Sequence, residues 1–153
     1  MEKEVNILLA EDDDGHAVLI QRNIKRAGIA NEIIRCADGQ EITDFLFCKG
    51  DGPHRQTNVA YILLLDIRMP KMDGVEVLRQ IKSDKELCKM PVTMITTTDD
   101  PREVEHCHAL GCSNYIAEPV DYDKFIEVIK QLGFFLKVVQ VPRLTVTHEA
   151  VGQ

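Results

Sequence analysis

Four acidic residues stand where a short apolar run of the chain stops. Glu11 and Asp12 follow VNILLA (Val5–Ala10), Asp66 follows VAYILLL (Val59–Leu65), and Glu118 follows the brief run Tyr115–Ala117. Thr96 closes a further run, Pro91–Thr96. An isolated carboxylate in such a place is ordinarily a solvated cap, so the chemistry depends on several of them converging. Three carboxylates held together repel one another, and one takes up a proton unless a cation intervenes. Hard oxygen donors in a small site with room for water suit Mg²⁺ better than a transition metal. A divalent ion beside a nucleophilic carboxylate is the arrangement that phosphoryl transfer onto aspartate needs. The same residues also read as an acidic fringe at the strand tips that holds no ligand, and spacing alone leaves both readings open.

His106-Cys107-His108 with Cys112 is a second group of ligand-type residues. Its spacing matches no standard zinc pattern, and on a helix over Pro101–Leu110 adjacent side chains point apart. Val104, Cys107 and Leu110 are then expected to face the core, with the histidines nearer solvent.

The elements that carry these residues alternate in type. Val5–Ala10 reads as a buried strand, followed by a helix with Ala17, Ile20, Ile24 and Ala27 on one face and Gly28 at its end. Glu32–Ala37 is a weaker strand, and Asp38 caps a helix buried through Ile42, Phe45 and Leu46. Lys49–Asn58 (KGDGPHRQTN) is a polar loop. Val59–Leu65, apolar at every position, predicts a strand covered on both faces. Asp73 or Gly74 opens a helix packed through Val77, Leu78 and Ile81. Pro91–Thr96 is the fourth strand, and Asp100-Pro101-Arg102-Glu103 is a helix start with N-cap, N1 proline and capping-box glutamate. That helix ends at Gly111. After the short fifth strand Tyr115–Ala117, Asp121 caps a last helix carrying Phe125, Val128, Ile129 and Leu132.

Five strand-helix alternations predict an α/β fold, a doubly wound five-stranded parallel sheet with helices on both faces. Ligands of such sheets bind beyond the carboxyl ends of the strands. The first and third strands lie side by side at the centre, so Glu11, Asp12 and Asp66 are expected to share one pocket.

The chain has 153 residues, enough for one domain, and its apolar share of 44% can build a core without disulfide or metal staples. Lys and Arg number 18 against 25 Asp and Glu, a net charge of −7 that argues against docking on nucleic acid or anionic lipid. Five cysteines in no framework spacing, with no secretory signal and no membrane span, point to reduced thiols and a cytoplasmic protein.

The sequence resembles a response-regulator receiver domain of two-component signalling. LLAEDD (Leu8–Asp13), LLLDIRMPKMDG (Leu63–Gly74), MITT (Met94–Thr97) and YIAEPV (Tyr115–Val120) carry the resemblance by their order and mutual spacing. It implies the flavodoxin-like fold, with Asp66 as phosphoacceptor. It further implies Mg²⁺ held by Glu11, Asp12, Asp66 and the backbone carbonyl of Arg68. Thr96 resembles the switch hydroxyl that meets the phosphoryl group, and Tyr115 the aromatic whose rotamer reports it. A histidine kinase would be the phosphodonor.

One position departs from the pattern. Receivers carry a lysine where this chain has Glu118, so the charge is reversed. Either Glu118 points to solvent while Arg68 or Lys71 supplies the positive charge, or it is protonated or serves as a further cation ligand. The third course is a domain that signals without phosphorylation, a pseudo-receiver. A Mg²⁺-dependent phosphohydrolase with Asp66 as nucleophile is a rival from another class, but Asp66-Ile67-Arg68 lacks a second acid to protonate a leaving group.

Beyond Leu132 the chain continues GFFLKVVQVP, more apolar surface than one helix face can bury on its own sheet. The excess predicts a homodimer through the C-terminal helix and its extension. This extension and the Lys49–Asn58 loop resemble the single-domain regulators of phytochrome-type histidine kinases. The expected division is a receiver over residues 1–140 and a disordered tail over 141–153, so the signal would leave through protein contacts.

Overall fold

The computed structural model describes residues 5–96, 100–117 and 141–146. The strands are β1 (Val5–Ala10), β2 (Ile33–Cys36), β3 (Val59–Leu65), β4 (Val92–Thr96), β5 (Asn114–Ala117) and β6 (Arg143–Leu144). The helices are α1 (Asp14–Arg26), α2 (Gly39–Phe47), α3 (Gly74–Ser83) and α4 (Pro101–Leu110). Five strands pair in parallel in the order β2-β1-β3-β4-β5. This is the doubly wound sheet expected from the alternation, with the all-apolar VAYILLL at its centre.

Period-two alternation sorts the core into two layers. Val5, Ile7 and Leu9 of β1 and Ala60, Ile62 and Leu64 of β3 pack on one face with Ala17, Ile20 and Ile24 of α1. Leu8, Ala10, Leu63 and Leu65 pack on the other face with Ile42, Phe45 and Leu46 of α2, Val77, Leu78 and Ile81 of α3, and Cys107 of α4. Helix starts follow from local chemistry. Asp13, Asp38, Asp73 and Asp100 each occupy an N-cap and accept a backbone N–H of the first turn, and Pro101 stands in the first turn of α4. At the end of α1, Gly28 adopts φ 87°, where a side chain would be strained.

The tail expectation needs correction over residues 141–146. Arg143-Leu144 pairs antiparallel with Val59-Ala60, Leu144 is fully buried and Val141 joins the α1-side core. Ala60 pairs with Val5 on one side, so Arg143 must lie at its other edge, on the side that β4 joins only from Leu63 onward. The tail thus fills a stretch of β3 edge that the parallel strands leave vacant. Arg55 of the preceding loop fastens it, donating to the carbonyls of Leu46 (2.8 Å) and Thr145 (3.0 Å). The Thr145 N–H in turn meets Glu86 Oε2 at 2.8 Å. Leu144→Ala is therefore expected to cost about 2–4 kcal/mol, a fall in Tm of roughly 6–12 °C by thermal unfolding. A change of less than about 0.5 kcal/mol would mark a surface site instead.

Candidate functional site

The ladder between the central strands runs one residue past their ends and seats the acids. The Asp66 N–H donates to the Ala10 carbonyl (3.0 Å), and the Glu11 N–H to the Cys36 carbonyl (3.1 Å). Asp66 and the Glu11-Asp12 pair therefore emerge together at the carboxyl end of the sheet. Carboxylate oxygens of Glu11, Asp12 and Asp66 lie within 4.8 Å of one another. Glu11 is buried, Asp66 half-buried and Asp12 exposed, so the trio forms a shallow cup open to solvent on one side. Among the described residues it is the one group of three or more ligand-type side chains this close.

Glu11 Oε2 accepts the Asp13 N–H at 3.1 Å, and Asp13 Oδ1 accepts the His16 N–H at 2.8 Å, which ties the cup to the start of α1. The hydrogen bond to His16 also holds the Asp13 carboxyl below its ordinary pKa. Asp66 behaves oppositely. Burial raises its pKa, and the neighbouring charge of Asp12 adds to the rise, against opposing hydrogen bonds with the Arg68 and Ile67 N–H groups and the Glu11 side chain. The Arg68 N–H contact is long, 3.4 Å. A carboxyl crowded in this way favours a proton or a cation, and an all-oxygen donor set of this size fits a hard divalent ion.

This crowding gives a stability prediction for the metal-free protein. A carboxyl with a raised folded-state pKa binds its proton more tightly folded than unfolded, so its burden on stability grows as pH rises through that range and persists above it. Asp66→Asn is expected to raise the Tm at neutral pH, modestly because solvent partly screens the half-exposed carboxyl. The gain should vanish in acid below the ordinary aspartate pKa, where both forms are neutral. A Tm for Asp66→Asn no higher than wild type at pH 7 would contradict it.

Among the described residues, Arg35 and Lys71 near the cup are both engaged. Arg35 of β2 donates through Nε (3.0 Å) and an Nη (2.7 Å) to the Glu11 carbonyl, and its other Nη pairs with Asp14 at 2.7 Å. Lys71, at φ 71°, places its ammonium 3.5 Å from Asp38 Oδ2 at the head of α2. One of the courses open to Glu118 has Arg68 or Lys71 reaching into the cup; the Lys71 ammonium instead bridges the loop after Asp66 to α2. The Arg68 side chain is exposed. Arg35 was not singled out by its spacing. Its only sequence signal is a charge inside the otherwise apolar IIRC strand.

The remaining expected residues fall as follows. Thr96 ends β4, paired with Ala117, and Tyr115 of β5 pairs with Met94 and is half-buried. Glu118 and the expected last helix lie outside the described residues. Cys107 is buried while His106 and His108 are exposed, as the helical spacing predicts. His108 Nδ1 stands 3.8 Å from Cys112 Sγ, but burial pushes the Cys107 thiol up to about 11 and raises that of Cys112, which keeps both protonated.

A flavodoxin-like sheet with an aspartate-centred acidic cup at its carboxyl edge defines a signalling module of the receiver class rather than a typical enzyme. The chain belongs to the response-regulator receiver family, whose receiver domain matches residues 7–130. A response regulator receiver domain from Rhodospirillum rubrum has a similar structure, with a TM-score of 0.81 and 41% identity over 92% of this chain and 99% of that one. The response regulator Rcp1 of Synechocystis is 28% identical over 89% of this chain and 92% of its own. The Mn²⁺-bound structure of Rcp1 superposes with a TM-score of 0.76, at 30% identity over 90% of this chain and 98% of that one. The phosphorylated cyanobacterial phytochrome response regulator RcpA is similar at a TM-score of 0.74 and 26% identity, over 92% of this chain and 98% of that one. The resemblance to regulators of phytochrome signalling is therefore present in structure as well as sequence.

Proposed function

We propose that the chain is a single-domain response regulator that accepts a phosphoryl group on Asp66 from a histidine kinase in a phosphorelay. The observation that carries this reading is the convergence of Glu11, Asp12 and Asp66 at the carboxyl ends of adjoining strands. An Asp66 carboxylate oxygen attacks phosphorus, a P–O bond forms, and the P–N bond of the donor phosphohistidine breaks with its electron pair returning to the imidazole. Hydrolysis by water later restores the carboxylate. Glu11, Asp12, Asp66 and the Arg68 carbonyl would hold Mg²⁺, which when bound supplies positive charge to the transferring phosphoryl oxygens. Thr96 donates its hydroxyl to the phosphoryl group, and Tyr115 changes rotamer with it, giving a two-state element that phosphorylation biases.

The donor is a kinase of the phytochrome type, as the likeness to RcpA supports. The C-terminal helix forms a homodimer, a downstream protein reads the changed surface, and the protein works in the cytoplasm. Among the described residues no helix is long and apolar enough to cross a membrane.

Glu118 favours a second reading, a pseudo-receiver that signals unphosphorylated. Intact mass after incubation with Mg²⁺ and a small phosphodonor separates the two. A single phosphoryl adduct supports the receiver, and none under conditions that label an ordinary receiver supports the pseudo-receiver.

A further inference from the structure

We propose that Arg35 is a positioning residue for the divalent-cation site, holding the Glu11-Asp12 turn in its ligating shape; this rests on the receiver reading above. Glu11 to Asp14 are four consecutive acids, a stretch whose own repulsion drives it toward extended, divergent conformations. Arg35 opposes this from the neighbouring strand, where it pairs with Leu9 in register and reaches forward to the end of β1. Its guanidinium grips both the main chain and the charge. Nε and one Nη converge on the Glu11 carbonyl at 3.0 and 2.7 Å, while the other Nη holds Asp14 at 2.7 Å. The planar fork satisfies all three bonds at once, which an ammonium cannot do. The turn between these two anchors contains Asp12 and leads to Asp13, whose N–H holds the Glu11 carboxylate by Oε2. Fixing the Glu11 carbonyl therefore fixes the peptide from which both ligand side chains hang.

Position and charge make opposite predictions here, which renders the inference decisive. If Arg35 acted only through its positive charge, removing it would tighten the binding of a cation to the adjacent acids. If it acts by position, removal loosens the turn and weakens binding, in the manner of a partner that orients a metal ligand from behind. Asp14 pairs with the guanidinium at 2.7 Å, which reduces the charge Arg35 presents to the cup and leaves position to decide.

The test titrates Mn²⁺ into metal-free wild type, Arg35→Gln, Arg35→Lys and the charge-neutral pair Arg35→Gln with Asp14→Asn, with free ion read by electron paramagnetic resonance. Arg35→Gln and the double variant are expected to bind about ten-fold more weakly, the lower end of what loss of an orienting partner causes. Arg35→Lys should recover part of the loss. In the metal-free state, faster amide exchange at Asp12 and Asp13 with unchanged far-UV circular dichroism should accompany it. Affinity equal to or tighter than wild type in Arg35→Gln overturns the positioning role while leaving the receiver reading standing. Failure of wild type itself to bind Mn²⁺ overturns the cation site, and the inference with it.

Discussion

Asp66→Ala is expected to take up no phosphoryl group from a small phosphodonor, and Glu118→Lys to take it up at least ten times faster than wild type. The first follows from the receiver reading, in which Asp66 is the acceptor, Glu11 is buried with its carboxylate accepting the Asp13 N–H, and Asp12 serves as a cation ligand. The second follows from charge. The cup already holds Asp66 above its ordinary pKa through burial and the charge of Asp12, and an incoming phosphoryl donor adds more negative charge. Of the nearby cations, Arg35 and Lys71 are engaged by Asp14 and Asp38. In the receiver reading position 118 faces the transferring phosphoryl group, and a charge reversal there that lowered the barrier by about 1.4 kcal/mol would give the factor of ten. Time-resolved intact mass at fixed Mg²⁺ reads both variants. A Glu118→Lys rate equal to wild type would mean that this side chain does not act on Asp66. An adduct on Asp66→Ala would move the acceptor elsewhere.

What could be read from the chain alone depended on whether the information was local. Val59–Leu65 announces its burial at every position, and the structure begins and ends β3 at those residues. Asp38, Asp73 and Asp100 mark their helices because an N-cap is satisfied by its own next residues. The convergence of Glu11, Asp12 and Asp66 was legible for a different reason. Parallel connections of one hand leave few ways to order the strands, so residues at strand ends meet even though they are far apart in sequence. The short segment around Leu144 carried no such signal. Two residues cannot display a period, and their place in the sheet exists only because β4 joins β3 at Leu63 rather than at Val59. The roles of Arg35 and Lys71 were hidden likewise, since each acts on a turn belonging to another element. Side chains that bridge elements are specified by the assembled sheet, and only their type is visible beforehand.

The segment from Asp66 to Gly74 is held by backbone-to-backbone approach, and this gives the second large effect. A Cβ on Gly74 would sit 2.1 Å from the Asp66 carbonyl oxygen and 2.8 Å from Ile67 Cα, and one on Gly39 would sit 1.9 Å from the Met72 carbonyl oxygen. In each case the obstacle is main chain, which cannot rotate away. The Gly74 N–H also donates to the Ile67 carbonyl at 2.8 Å, closing the loop onto the start of α3. In an ordinary helix, replacing Gly by Ala gains up to about 1 kcal/mol. Here the sign reverses, and Gly74→Ala is expected to lose about 4–5 kcal/mol, lowering Tm by roughly 10–20 °C. Gly52, with open space around its Cα, is the control: Gly52→Ala should be neutral or stabilising by a few tenths of a kcal/mol. The functional consequence follows from which atom must move. The carbonyl that a side chain at position 74 would displace belongs to Asp66, so the strain falls on the proposed acceptor itself. Phosphorylation of Gly74→Ala measured well below its Tm should therefore remain slower than wild type, whereas a defect confined to stability would restore the full rate on cooling.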